Sequence, residues 1–101
     1  MKKIVLLCAN GMSTSLLVKK MKEYATSINY ECSIEAHPIS EIDKYAPDAN
    51  IILLGPQVRF KLKEMTKNYP NNLISVIDMR DYGMVNGQAV LENAKEKMGE
   101  D

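Results

Sequence analysis

The stretch Lys3-Ile4-Val5-Leu6-Leu7-Cys8-Ala9-Asn10-Gly11-Met12-Ser13-Thr14-Ser15 decides the fold. Lys3 to Leu7 carries a continuous apolar run with β-branched Ile4 and Val5, the pattern of a strand covered by helices on both faces. The run ends on a cysteine and a glycine-containing turn. From Ser13 or Thr14 to Ile28, apolar Leu17, Met21, Tyr24 and Ile28 then recur at helical spacing, while Lys19, Lys20, Lys22 and Glu23 take the outer face. A central strand therefore feeds, through a short loop, into an amphipathic helix.

The same alternation continues outward. Residues 30 to 37 place Cys32, Ile34 and Ala36 on one side and Glu31, Ser33 and Glu35 on the other, as an edge strand wet on one face would. Pro38 breaks it, a helical turn follows around residues 40 to 44, and Asn50 to Leu54 forms a second continuous apolar run, closed by Gly55-Pro56. Val58, Leu62, Met65 and Tyr69 mark the next helix. Leu73 to Ile77 reads as the fourth strand, 78 to 86 as a loop, and Gly87 onward as a last helix burying Val90, Leu91, Ala94 and Met98. Strands alternating with helices imply right-handed crossovers and a parallel sheet. With the first and third strands central, the order is 2-1-3-4, an open α/β sheet with helices on both faces and a phosphate loop after strand 1. Its winding reverses between strands 1 and 3, where such sheets bind ligands, and Cys8 lies at that point.

Length and composition narrow the function classes. The 101 residues suit one domain spanning 1–101. Thirteen basic and thirteen acidic residues, spread along the chain, give no electrostatic footprint for nucleic acid. Met1-Lys2-Lys3 and the run after it imitate a secretory signal, but the run is short and stops at Asn10-Gly11. No apolar run reaches the roughly 20 residues that span a bilayer. Two cysteines do not make a disulfide framework. A soluble protein of the reducing cytoplasm is expected, with no direct membrane insertion.

Each feature of the loop suits an anion attached to sulfur. Gly11 permits backbone angles that turn successive N–H groups inward around one point. Ser13, Thr14 and Ser15 offer an N-cap and hydroxyl donors, and the helix behind them adds a partial positive charge. The same surroundings favour thiolate over thiol, so Cys8 needs no general base. Phosphoryl transfer rests mainly on positioning and on donors aimed at the equatorial oxygens. A phosphocysteine on Cys8 is the preferred chemistry, and neither metal nor cofactor is called for.

Over nearly the whole chain the sequence resembles the IIB components of the lactose, cellobiose and chitobiose class of the phosphoenolpyruvate-dependent sugar phosphotransferase system. The resemblance is carried by the opening strand running into Cys8-x-x-Gly11-Met12-Ser13-Thr14-Ser15-Leu16-Leu17, by Leu53-Leu54-Gly55-Pro56-Gln57, by Val76-Ile77-Asp78, and by Tyr82-Gly83-x-x-x-Gly87. It implies a phosphotransferase in which Cys8 accepts a phosphoryl group from a phosphohistidine on the IIA subunit. The group then passes to a sugar, such as the β-linked disaccharide cellobiose, held by the membrane-embedded IIC subunit. By position, residues Ala9, Asn10, Gly11, Met12, Ser13, Thr14 and Ser15 match the family's phosphate loop.

Plainer readings stand beside these. Cys32 reads as core, since strand registration sets Cys8 level with residue 36 or 37 and leaves Cys32 too far away for a disulfide. That registration also brings His37 to the active edge, where a solvated strand-end histidine is the preferred reading over one that tunes the thiolate. Gln57 reads equally as a donor to phosphate or a docking subunit and as a turn residue. Tyr82 and Gly83 fall on the same edge, with Tyr82 either touching a partner or covering the core. Asp78 stands where a general acid could stand, although a turn carboxylate is favoured. The rival class is a low-molecular-weight tyrosine phosphatase or arsenate reductase, whose Cys-x5-Arg loop would put arginine at position 14. Thr14 is there instead, and the arginines are Arg59 and Arg80.

Overall fold

The computed structural model describes residues 1–9 and 14–100. Its four strands are β1 (Lys2–Cys8), β2 (Cys32–Pro38), β3 (Ile51–Leu54) and β4 (Ile74–Val76). They form one parallel sheet in the order β2-β1-β3-β4, as the apolar runs predict. The helices are α1 (Ser15–Ser27), α2 (Ile42–Tyr45), α3 (Leu62–Asn68), α4 (Met79–Gly83) and α5 (Gly87–Lys97), with 3-10 turns flanking α2 and preceding α3.

β1 is central because its residues are apolar on both sides. Ile4 and Leu6 enter a core with Leu17, Met21 and Ala25 of α1 and Val90, Leu91 and Ala94 of α5. Val5 and Leu7 enter a second core with Ile42 and Ala46 on one side and Val58 and Met65 on the other. All four are fully buried, each contributing about 1.5–3 kcal/mol relative to exposure. β3 repeats the device with Ile51 and Leu53 facing one core and Ile52 and Leu54 the other. β2 lies at the edge, and Ile34 is its one buried residue.

The structure departs from the sequence pattern in five places. β2 runs through Pro38 instead of stopping before it, which an edge strand tolerates because proline's missing N–H can face outward. Cys8 is therefore level with Pro38, one or two residues beyond the expected partner. Ile28, placed on the buried face of α1, caps the helix and is exposed. The helix after Gly55-Pro56 opens with a 3-10 segment kinked at Val58 before α3 begins. Residues 79–83, read as loop, form α4, because Asp78 accepts hydrogen bonds from the backbone N–H groups of Arg80 and Asp81 at 2.9 and 3.0 Å. Val85, which follows α4, has φ 51, and packing against the first core offsets part of the cost of that left-handed conformation.

Gly87 opens α5 and lets it lie directly on α1. A Cβ there would stand 2.6 Å from the carbonyl carbon of Lys20 and 2.7 Å from the nitrogen of Met21, both backbone atoms that cannot turn aside. Gly87→Ala is expected to push the two helices apart and destabilise the fold by about 1–3 kcal/mol, read as a lower urea midpoint.

Candidate functional site

Everything that positions Cys8 follows from where β1 ends. In the alternation along β1, Cys8 shares the face of Ile4 and Leu6, which looks toward α1 and α5. The side chain is completely buried. Thr14, the residue before α1, is the one buried polar side chain among the described residues. Its Oγ1 lies 3.7 Å from Cys8 Sγ, a contact in which either group can donate. Thr14 takes the N-cap position, yet its hydroxyl makes no capping bond. Of the two roles offered for residues 13 to 15, N-cap and hydroxyl donor, the Thr14 side chain does not take the first and faces the sulfur. Ser15 begins α1 and Ala9 lies exposed just past the strand. The expectations for Asn10, Gly11, Met12 and Ser13 fall outside the described residues.

The neighbouring strand supplies the second wall. Gly55 follows β3, and its N–H donates to the carbonyl of Leu7 at 2.8 Å, which locks it beside Cys8. Gln57, two residues on, is exposed, but its side-chain Oε1 folds back over Gly55. Pro56, Gln57, Phe60, Met79, Tyr82 and Gly83, with Arg59, line an open groove of about 620 Å³. Tyr82 covers the core, the second of the two readings offered for it, and also lines this groove. Phe60, Met79 and Met84 are 73%, 59% and 71% exposed, and Leu16 in the first turn of α1 is 52% exposed. Of these, Phe60 and Met79 border the groove, in the segments after β3 and β4 where the sequence reading expects docking, around residues 55 to 60 and 78 to 86.

Other candidates separate from the site. His37 belongs to the opposite face of the sheet, level with Leu7. It is neither solvated at the strand end nor turned to Cys8: its ring stacks on Tyr45 at 3.6 Å between centroids, and Nε2 contacts Glu35 Oε1 at 2.9 Å. Lys3 approaches the other oxygen of Glu35 at 3.9 Å. Asp78 is a helix cap, which accounts for its position without acid chemistry. Cys32 is level with Lys2, six residues from the level of Cys8, or about 20 Å along the strand. The two cysteines form no disulfide. Burial also pushes the Cys32 thiol up, the direction opposite to that of a nucleophile. Among the described residues no group of three or more histidine, cysteine or acidic side chains could hold a metal, and no helix is long and apolar enough to cross a membrane.

Comparison with known proteins agrees with this arrangement. The family model described as the lactose/cellobiose-specific IIB subunit of the PTS system matches residues 3–93. The oligo-β-mannoside-specific EIIB component of Bacillus subtilis is 46% identical over 96 residues, covering 93% of both chains. The galactose-specific and cellobiose-specific EIIB components of two Lactococcus lactis subspecies are each 40% identical over 104 aligned positions, covering 96% of both chains. Among solved structures, the cellobiose-specific IIB component of Borrelia burgdorferi superposes with a TM-score of 0.83 at 37% identity, covering 97% of this chain and 92% of that one. The lactose-specific IIB domain of Streptococcus pneumoniae shares the fold at a TM-score of 0.82 and 19% identity, over 95% of this chain and 96% of that one.

The edge contacts make a pH prediction. The His37 hydrogen bond holds the Glu35 carboxyl below its usual range, with Lys3 helping and burial opposing. The stability this adds is present above the carboxylate's unfolded value and is lost as pH falls through the lowered one. Wild type should be slightly more stable than Glu35→Gln at neutral pH, and urea midpoints of the two should converge in acid as Glu35 protonates.

Proposed function

The chain belongs to the lactose/cellobiose-specific IIB subunits of the sugar phosphotransferase system, and from that premise we propose that Cys8 is the residue that carries its phosphoryl group. IIB subunits of this kind transfer a phosphoryl group to sugar. The observation that carries the assignment to Cys8 is its place: the carboxyl end of a central strand, at the winding reversal, with a buried threonine hydroxyl on its sulfur. Cys32, at the other end of the sheet on an edge strand, has none of these.

In the proposed reaction the Cys8 thiolate attacks phosphorus on the phosphohistidine of IIA. The N–P bond breaks as the S–P bond forms, and the imidazole nitrogen keeps the electron pair and takes up a proton. In the second half the sugar hydroxyl attacks phosphorus, gives up its proton, and the S–P bond breaks to return the thiolate. The N-terminus of α1 and the amides of residues 9 to 15 would stabilise charge on the equatorial oxygens. The threonine at position 14 supports a carrier over a phosphatase: where a phosphatase loop of this kind would place an arginine fork, this chain sets a hydroxyl against the sulfur.

Both partners must reach the same sulfur, so both are proposed to dock on the carboxyl edge of the sheet. Exposed Phe60 and Met79 line a groove there together with Arg59 and Tyr82, and methionine, aromatic residues and arginine are enriched at protein interfaces. The subunit would be a single domain that works in the cytoplasm and visits IIC at the membrane. A β-linked disaccharide such as cellobiose is the proposed cargo. Two equally similar relatives bear the names of different sugars, galactose and cellobiose, which supports assigning sugar choice to IIC.

Incubating the chain with phosphoenolpyruvate, the general phosphotransfer proteins and IIA is expected to add roughly 80 Da by intact mass. Cys8→Ser should abolish the adduct, and IIC membranes with sugar should discharge it. An adduct that persists in Cys8→Ser would refute the assignment. Phe60→Asp should raise KM for phosphorylated IIA roughly tenfold at little change in kcat, since a docking residue outside the reacting atoms contributes uniform binding.

A further inference from the structure

Gly55 is glycine for a reason that lies in its neighbour's side chain. Its φ and ψ are −62° and 150°, an extended conformation open to any residue and the one that a following proline requires. Backbone freedom is therefore not what the position needs. Space is. A Cβ on Gly55 would stand 2.8 Å from Gln57 Oε1 and 3.4 Å from Cys8 Cβ. The glycine leaves a slot beside Cys8, and the Gln57 carboxamide fills it.

Resting on the phosphocysteine reading above, we propose that Gln57 contacts the phosphoryl group on Cys8 and that Gly55 is the positioning residue that lets it do so. The carboxamide and the β-carbon that bears the sulfur both lie within 3.4 Å of one point, so a phosphoryl group built outward from sulfur comes within reach of the amide. A carboxamide offers two N–H donors and one acceptor on a planar head, and turning it over presents the donors in the same space. As the N–P bond of the donor breaks and the S–P bond forms, the imidazole nitrogen leaves with the electron pair and charge spreads over the three equatorial oxygens. An amide N–H aimed at one of them stabilises that charge. Glutamine suits the task because it brings a donor without a second charge that would clash with the phosphoryl group or hold a hydrolytic water as a base.

The two residues make a linked prediction. Gln57→Ala removes the donor. Gly55→Ala keeps it but evicts it, since the far end of a flexible side chain is what must shift. Each variant should accept phosphate from IIA roughly 10- to 100-fold more slowly in rapid-quench assays followed by intact mass, the scale of a lost hydrogen bond to a charged group. The double variant should be no slower than either single, because both remove the same contact. Gln57→Glu, of the same shape, should be slower still, and the phosphorus NMR resonance of phosphocysteine should move alike in Gln57→Ala and Gly55→Ala while urea midpoints stay at the wild-type value. Wild-type rates in Gln57→Ala and Gln57→Glu, or singles whose losses multiply in the double, would overturn the proposal even if Gly55→Ala did not fold. An adduct absent from wild type would instead remove the phosphocysteine reading, and this proposal with it.

Discussion

The fold and the site depend on one constraint, that β1 is buried on both faces and stops at Cys8. Ile4 and Leu6 must find α1 and α5, while Val5 and Leu7 must find α2 and the helix after β3. Both layers are therefore anchored on the same four side chains. Once they are in place, the residue after Leu7 points to the α1 side because strands alternate. Cys8 is thus aimed by packing farther back in the sheet. Moving the strand by one residue would exchange its two apolar sets and turn the sulfur to the opposite face.

The chemistry then follows from what surrounds the two cysteines. Cys8 meets a threonine hydroxyl at the start of a 13-residue helix, at the edge where β1 and β3 both end. Cys32 sits at the opposite end, half-buried beside Tyr30, with burial raising its thiol despite nearby Lys95. Burial is common to both, so burial does not separate them. What does is position: Cys8 ends a central strand at the winding reversal with the Thr14 hydroxyl against its sulfur, whereas Cys32 begins an edge strand at the other end of the sheet.

Much of this was legible in the sequence, for physical reasons. Ile4 to Leu7 and Ile51 to Leu54 are apolar at every position, and only central strands tolerate that. Their spacing, with helical patterns between, fixes a parallel sheet and its order. The position of Cys8 at the end of the first of these runs was legible for the same reason. The parts that were not legible depend on contacts between residues distant in sequence. The fold of Gln57 back over Gly55 depends on two strands lying side by side. The face of His37 depends on register, and the sequence pattern misplaced the level of Cys8 because it ended β2 before Pro38. α4 was missed because its five residues carry no apolar period; its only signal is the cap at Asp78, which resembles an ordinary turn.

A carrier has to satisfy two partners with one edge, and that limits what the edge can contain. Any group that clamps the phosphoryl oxygens strongly, such as a bidentate arginine, would deepen the bound state and slow its release. Donors that are individually weak, such as a hydroxyl, a carboxamide and backbone amides, stabilise the transferring group while leaving the intermediate close in free energy to both neighbours. On the proposed function, Thr14 in place of arginine and Gln57 in the slot that Gly55 leaves are the same solution on two sides of one sulfur. On the same proposal, exposed Phe60 and Met79 would add affinity outside the reacting atoms, so docking strength could change there without altering the transfer itself. Such a separation would allow the sheet and its cysteine to stay the same while another subunit chose the sugar, as proposed.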